Sequence, residues 1–217
     1  MYIATWIFNT LGCASVYGVS SIALIKAYPA SSKEIERQIT TAAQAIPSYA
    51  LLPTLIDILI DLGITRAYTG VFSRGLIGYI FNVLCHLLFV EFAVYWIHRM
   101  LHDKSYYWIH RLHHSFREHL TPFAGLAFNP ADGLLQACPY LLALFFIPIH
   151  RGTHKLMLFC TGLWTSFIHS EDKTKYRFVL GPLHHKIHHQ TYNYNFGHYT
   201  QLMDSLFGTL RGACGPP

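Results

Sequence analysis

The sequence predicts an all-α protein: a polytopic bundle of membrane helices carrying a histidine-rich site for two metal ions at one membrane face. Three observations predict it. Apolar residues make up 52% of the 217-residue chain and charged residues 12%, against about 25% charged in ordinary globular domains. Mean hydropathy is positive, at +0.28. Histidine is the compositional outlier, with 15 in the chain, most of them crowded into two short regions.

Length gives room for one domain with a substantial core, residues 1–217, and no reason to expect two. The net charge of +5 comes from Lys and Arg scattered near the ends of apolar runs. No basic block of the kind that tracks a phosphate backbone is present, which argues against nucleic acid as a partner. Cys13, Cys85, Cys138, Cys160 and Cys214 fall singly, so neither a disulfide framework nor a thiolate metal site is expected.

The first apolar run, Tyr2 to Leu24, is long enough to cross about 30 Å of hydrocarbon at roughly 1.5 Å per residue. It lacks a basic start and an A-x-A cleavage site, so it reads as a retained membrane helix. Residues 28–41 turn polar (PASSKEIERQ) and read as a loop, which closes an N-terminal segment of residues 1–41. Ala42 to Leu62 is apolar but interrupted by Pro47 and Pro53 and carries Asp57 and Asp61, leaving its crossing open. Leu76 to Ile97 is the best spanning candidate, with Arg74 and Arg99 at its ends and Tyr95 and Trp96 at the interface level. Leu134 to Ile149 and Leu156 to Ile168, separated by PIHRGTHK, predict a tight helical hairpin. The tail RGACGPP reads as frayed.

Three histidine clusters follow this frame: His98 with His102; His110, His113 and His114; and His185, His188 and His189. Spacings of i, i+3 and i+4 place imidazoles on one face of a helix within reach of a shared ion. His169, at the end of the second hairpin helix, adds a ninth candidate. Eight or nine imidazoles buried without partners would each cost about 1–3 kcal/mol, and metal coordination removes that cost. The remaining histidines read as structural or solvated: His86 inside a membrane helix, His119, His150 and His154 in loops, and His184 and His198 beside the last cluster.

Ligand type leaves the metal open, since imidazole suits Zn, Cu, Fe and Ni alike. No Glu-x-x-His pair for a carboxylate-bridged di-iron centre occurs, nor the His-Glu-x-x-His of zinc proteases. Nine histidines exceed a four-coordinate structural zinc and suffice for two ions of octahedral habit with positions left open for dioxygen. Glu91 lies seven residues before His98, on the same helix face, where a carboxylate would hydrogen-bond the second nitrogen of a ligand or tie two helices together.

The residues that carry this chemistry resemble the fatty acid hydroxylase superfamily of membrane di-iron enzymes, and most closely its C-5 sterol desaturases of the plant type. The resemblance rests on FVEFAVYWIHRMLHD (89–103), HRLHH (110–114), TPFAGLAFNPADGLLQACP (121–139), WTSFIHS (164–170) and HHKIHHQTYNYNFGHYTQLMDSLFGTLR (184–211). Weaker similarity reaches back to AIPSYALLPTL, so residues 42–211 form the family-like catalytic region. The resemblance implies removal of two hydrogens from C5 and C6 of a Δ7-sterol in the endoplasmic reticulum membrane, with two non-haem irons facing the cytoplasm. It also implies dioxygen and electrons passed from NADH through a reductase and cytochrome b5.

His98, His102, His110, His113, His114, His185, His188 and His189 match the family's box positions, and His169 matches the His of its Ile-His-Asp stretch. Two positions depart: Asn129 stands where the family usually has His in Ala-Phe-His-Pro, and Ser170 where Asp usually follows the histidine. Asn129 is thereby expected to act as an oxygen ligand or to hold a metal-bound water. The departures also define a second reading, a weakened or inactive relative that binds sterol or a partner. A third is an oxidase of another lipid. The hairpin predicts that all three clusters and His169 line one cavity on one side of the membrane. A structure placing His110 and His188 on opposite faces would end the two-metal proposal.

Overall fold

The computed structural model describes residues 2–25, 31–71 and 73–212. These form helices α1 (Tyr2–Ile25), α2 (Ser32–Tyr49), α3 (Leu51–Asp61), α4 (Gly75–Leu101), α5 (Tyr107–His114), α6 (Pro130–Phe146), α7 (Arg151–Ile168), α8 (Pro182–Thr191) and α9 (Leu202–Leu206), with a 3-10 turn at Pro122–Leu126. Among the described residues there is no strand, only isolated bridges such as Tyr68 to His150. Three stretches among the described residues are long and apolar enough to cross a membrane: Tyr2–Ile25, Ser32–Asp61 and Gly75–Leu101.

Segment 28–41 departs from the expected loop. Its described part is helical from Ser32, because the Ser31 hydroxyl accepts from the Glu34 amide and Glu34 sits in the first turn, where its charge complements the helix dipole. Polar composition here marks one face of an amphipathic helix. The two prolines do not stop the run. Pro47 falls in the last turn of α2 and Pro53 in the first turn of α3, where its missing N–H has no helical partner to lose. The helices abut at Ala50, whose amide donates to Ile46 and whose carbonyl accepts from Thr54.

α1 and α7 run parallel at a constant offset. The Ser20 hydroxyl donates to Ser166 Oγ at 2.9 Å, and one turn earlier Val16 packs on Gly162, where an added Cβ would meet Val16 Cγ1 at 3.2 Å. Small residues and hydroxyls are what bring helices close where lipid offers no hydrophobic drive. Tyr17 inserts among Ala42, Ile46 and Phe123 and donates to the Phe123 carbonyl at 2.8 Å. On the other side of the bundle, Val90 and Val94 of α4 pack on Tyr140 of α6. The outward faces of α1 and α4 stay apolar and exposed, as at Ile3, Phe8, Val19, Ile77, Phe81 and Leu84, the pattern of helices solvated by acyl chains.

α6 and α7 make the expected hairpin, with corrected bounds. His154 is not in a loop but inside α7, fully buried, with Nε2 against the Tyr140 carbonyl at 3.2 Å. His150 is the N-cap of α7, its Nδ1 accepting from the Thr153 amide. At this end of the bundle, away from His169, Arg151 and Lys155 pair with Asp57 and Arg151 also with Asp61. The acids that interrupt the α3 run are thus neutralised.

The 3-10 turn lies so close to α7 that a Cβ on Gly125 would stand 2.8 Å from the Thr165 carbonyl carbon and 2.9 Å from the Ser166 amide. Backbone cannot yield as a side-chain tip can. Gly125→Ala is expected to destabilise the protein by about 1–3 kcal/mol, read as a lower thermal midpoint of the purified protein in detergent. An unchanged midpoint would show that the turn is free to move away from α7.

Candidate metal centre

α4 brings His98 and His102 to one end of the bundle. α5 brings His110, His113 and His114 there, α7 ends on His169 as its C-cap, and α8 supplies His185, His188 and His189. All nine predicted histidines meet, and His110 and His188 lie on the same side. Their nitrogens form two groups. His98, His102, His110, His114 and His188 offer ligand atoms within 4.8 Å of one another, and so do His113, His169, His185 and His189.

Each i, i+3, i+4 triplet is therefore divided. The i and i+4 members share one group, as with His110 and His114 or His185 and His189, while the i+3 member turns to the other. At about 100° per residue, i+4 lies roughly 40° from i, whereas i+3 and i+4 point roughly 100° apart. A short helix with this triplet therefore faces two sites at once.

The rings are held from behind. His98 Nδ1 bonds the Phe196 carbonyl at 3.1 Å, His188 Nδ1 the Tyr194 carbonyl at 2.8 Å and His169 Nδ1 the Thr165 carbonyl at 2.7 Å. His110 Nδ1 bonds Asp132 Oδ2 at 2.7 Å with both side chains buried. A carbonyl or carboxylate at Nδ1 fixes the proton there and turns the Nε2 lone pair inward, the arrangement that orients imidazole toward a metal. The inward Nε2 atoms of His98, His102, His110, His114 and His188 have no hydrogen-bond partner, although buried.

In the second group the Nε2 atoms face one another. His169 stands 3.1 Å from His113 and 2.9 Å from His185, which is 3.1 Å from His189. Hydrogen bonds alone cannot satisfy this chain. His169 Nε2 carries no proton, and His185 Nε2 cannot donate to it while also accepting from His189. A cation among the four resolves the conflict. With metal–nitrogen bonds of roughly 2.1 Å, neighbouring ligands on one ion stand about 3.0–3.4 Å apart, so these four nitrogens could share one cation. Burial, reinforced by the neighbouring rings, holds His113, His114, His185, His188 and His189 well below the ordinary imidazole pKa, and His102 falls to about 3. All are neutral at physiological pH, the state that coordinates metal.

Two expected contributors lie elsewhere. Glu91 reaches no ligand ring; its carboxylate accepts from the amides of Tyr199 and Thr200 and from the Thr200 hydroxyl at 2.8–3.0 Å. Its effect is nonetheless on the centre, because it fixes the 196–201 loop whose Phe196 carbonyl holds His98. Asn129 belongs to neither imidazole group. It is the N-cap of α6, its Oδ1 accepting from the Ala131 amide at 2.9 Å, as a short polar side chain before a proline commonly does. Ser170 is buried beside His169 without a bond from its hydroxyl.

Sequence reasoning passed over two acids. Asp132, three residues after Asn129, supports His110. Asp204 accepts from the amides of Phe196 and Gly197 at 2.8 Å each and from the Thr209 hydroxyl at 2.7 Å, and so fixes the same loop as Glu91. The available signal was an acid within an otherwise uncharged apolar stretch, which burial makes costly unless it is paired.

Beside the centre lies a cavity of about 370 Å³. His98, His110, His113, His169 and His185 form one end, and apolar side chains of α1, α3, α6 and α7, among them Val16, Leu52, Leu158 and Ile168, form its walls. An apolar ligand of drug or lipid size fits such a space.

Membrane-length helices ending on a buried polyhistidine cluster beside an apolar cavity define a class: helical membrane proteins with histidine groups that could hold metal. The chain belongs to the fatty acid hydroxylase family, whose model matches residues 83–209. It is 42% identical over 185 residues to a protein of Nicotiana tabacum named Delta(7)-sterol-C5(6)-desaturase, covering 83% of this chain and 68% of the relative. Identity is 36% to the Putative Delta(7)-sterol-C5(6)-desaturase 2 of Arabidopsis thaliana, covering 96% and 81%. The Lathosterol oxidase of Homo sapiens is 32% identical over 91% of this chain and 68% of its own length. No solved structure matches this chain significantly.

Two substitutions separate support of the centre from support of the helix. Asp132→Asn is expected to weaken metal binding by about 10- to 100-fold, measured by titrating Fe²⁺ into metal-free protein. Asn129→Ala is expected to leave metal stoichiometry unchanged while costing about 0.5–2 kcal/mol of stability. Loss of metal from the Asn129 variant would return that residue to the coordination sphere.

Proposed function

We propose that this protein is a membrane oxidoreductase that introduces the C5(6) double bond into a Δ7-sterol in sterol biosynthesis, using two non-haem irons and dioxygen. The observation that carries the reading is the double imidazole centre opening on an apolar cavity, in a chain whose relatives bear sterol C5(6)-desaturase and lathosterol oxidase names. The two groups, five and four histidines, could each hold one cation. Iron bound there supplies the redox chemistry of dioxygen. The protein's own part is to aim the rings of His98, His188, His169 and His110 inward, through the Phe196, Tyr194 and Thr165 carbonyls and Asp132, and to keep the reacting carbons dry.

The reaction takes two hydrogens from the sterol and two electrons with two protons from a donor, and reduces one dioxygen to two waters. No side chain of the centre is itself a two-electron reductant, so the electrons come from outside. The family resemblance supplies cytochrome b5 and its NADH-dependent reductase as the source. The same resemblance assigns the endoplasmic reticulum membrane, with the centre facing the cytoplasm.

Expression in a eukaryotic cell lacking C-5 sterol desaturation is expected to restore Δ5,7-sterol, read by mass spectrometry, and His188→Ala is expected to abolish it. Purified protein is expected to carry close to two irons per chain. A single zinc without iron, or oxidation of some other lipid with no Δ5,7-sterol, would overturn the reading.

A further inference from the structure

The cavity has a polar and an apolar identity at different depths. Val16 and Ser20 of α1 stand against Gly162 and Ser166 of α7, so the same offset brings Asn9 level with Lys155. That end lies about 21 Å along α7 from His169, at roughly 1.5 Å per residue. Its polar groups are engaged: Lys155 with Asp57, and Asn9 with Thr54 on α3. Toward the histidines, one turn of α6 beyond Asp132, the wall carries Gln136.

The bonding of Gln136 determines which of its atoms is available. Its Nε2 donates to Asp132 Oδ1 at 2.8 Å, while Asp132 Oδ2 receives the His110 proton at 2.7 Å. A carboxylate accepts only, so the amide cannot be turned round. Oε1 is left as an acceptor with no partner in the protein, on a residue that lines the cavity, whereas the neighbouring hydroxyls of Tyr49, Tyr140 and Thr165 are already bonded.

We propose that Gln136 is a specificity-determining residue that accepts a hydrogen bond from the hydroxyl of the sterol. The inference rests on the function proposed above. A Δ7-sterol has one polar group, on C3, and a single carbon separates C3 from C5. When C5 and C6 are presented to the histidines, the hydroxyl is confined to the same end of the cavity, where an unpaired hydroxyl is strongly disfavoured. Gln136 lies at that end, and Asn9 and Lys155 do not. The bond also tells the two ends of the molecule apart, because only the hydroxyl end finds an acceptor beside the centre.

The test compares a Δ7-sterol with its 3-O-methyl ether, which keeps the oxygen but cannot donate. Full-length protein in lipid nanodiscs is examined by competition for a fluorescent sterol and, after loading with iron and coupling to an electron donor, by kcat/KM. The wild-type protein is expected to prefer the free sterol by about tenfold in both measurements. Gln136→Met, close in shape but without an acceptor, is expected to lose the preference, and Asn9→Leu at the far end is expected to keep it. A residue that merely steadies Asp132 would lower turnover of both sterols alike and leave the ratio unmoved. An unmoved ratio in Gln136→Met, or in Gln136→Leu should the first variant not fold, would overturn the proposal, as would a wild-type protein without preference. A wild-type protein that neither binds nor converts any Δ7-sterol would instead overturn the function on which the inference rests.

Discussion

Nine imidazoles are packed at one end of the bundle with ring nitrogens turned toward one another. Neutral rings in that arrangement have too few protons to satisfy the nitrogens that meet, as the run from His113 through His169 and His185 to His189 makes plain. Such a cluster is costly alone and favourable around cations. The same free energy that would be lost as unsatisfied polar burial is what coordination of a cation would return. The rest of the fold serves to hold the rings from outside.

That support has two tiers. The nearer tier is a set of acceptors at Nδ1: three backbone carbonyls and Asp132. The farther tier fixes the carbonyls. Glu91 and Asp204, from α4 and α9, take up the amides of residues 196, 197, 199 and 200, and Gly197 is held so tightly that a Cβ would stand 2.4 Å from the Thr200 carbonyl oxygen. Asn195 adds bonds from its side chain to the His184 and Arg211 carbonyls. A loop with no secondary structure is thereby made rigid enough to orient ligands. The acids are buried, but each is saturated with donors, which is the condition under which burial of a carboxylate is tolerated.

Charge is distributed along the bundle in keeping with a membrane environment. The histidine end gathers imidazole rings, the opposite end holds Asp57 and Asp61 paired with Arg151 and Lys155, and the mostly apolar cavity runs between them. Gln136 then acts on two partners through one amide, steadying Asp132 on one side and offering an acceptor to the cavity on the other.

Composition and the length of apolar runs determined that the protein is helical and membrane-embedded, because crossing hydrocarbon leaves few other solutions for a backbone. The i, i+3, i+4 spacing determined which histidines share helix faces, and the short hairpin of α6 and α7 determined that they return to one side. Tertiary structure alone decided the rest, because helix periodicity fixes the direction of a side chain but not what faces it. The division of each triplet between two groups depends on how α5, α7 and α8 are set against one another. Glu91 and Asp132 find partners 108 and 22 residues away, beyond the reach of local pattern. Asn129, which the family resemblance put forward as an oxygen ligand or holder of a metal-bound water, is placed by Pro130 and the start of α6 as a cap, since an amide oxygen at a helix N-terminus satisfies the nearest free N–H first.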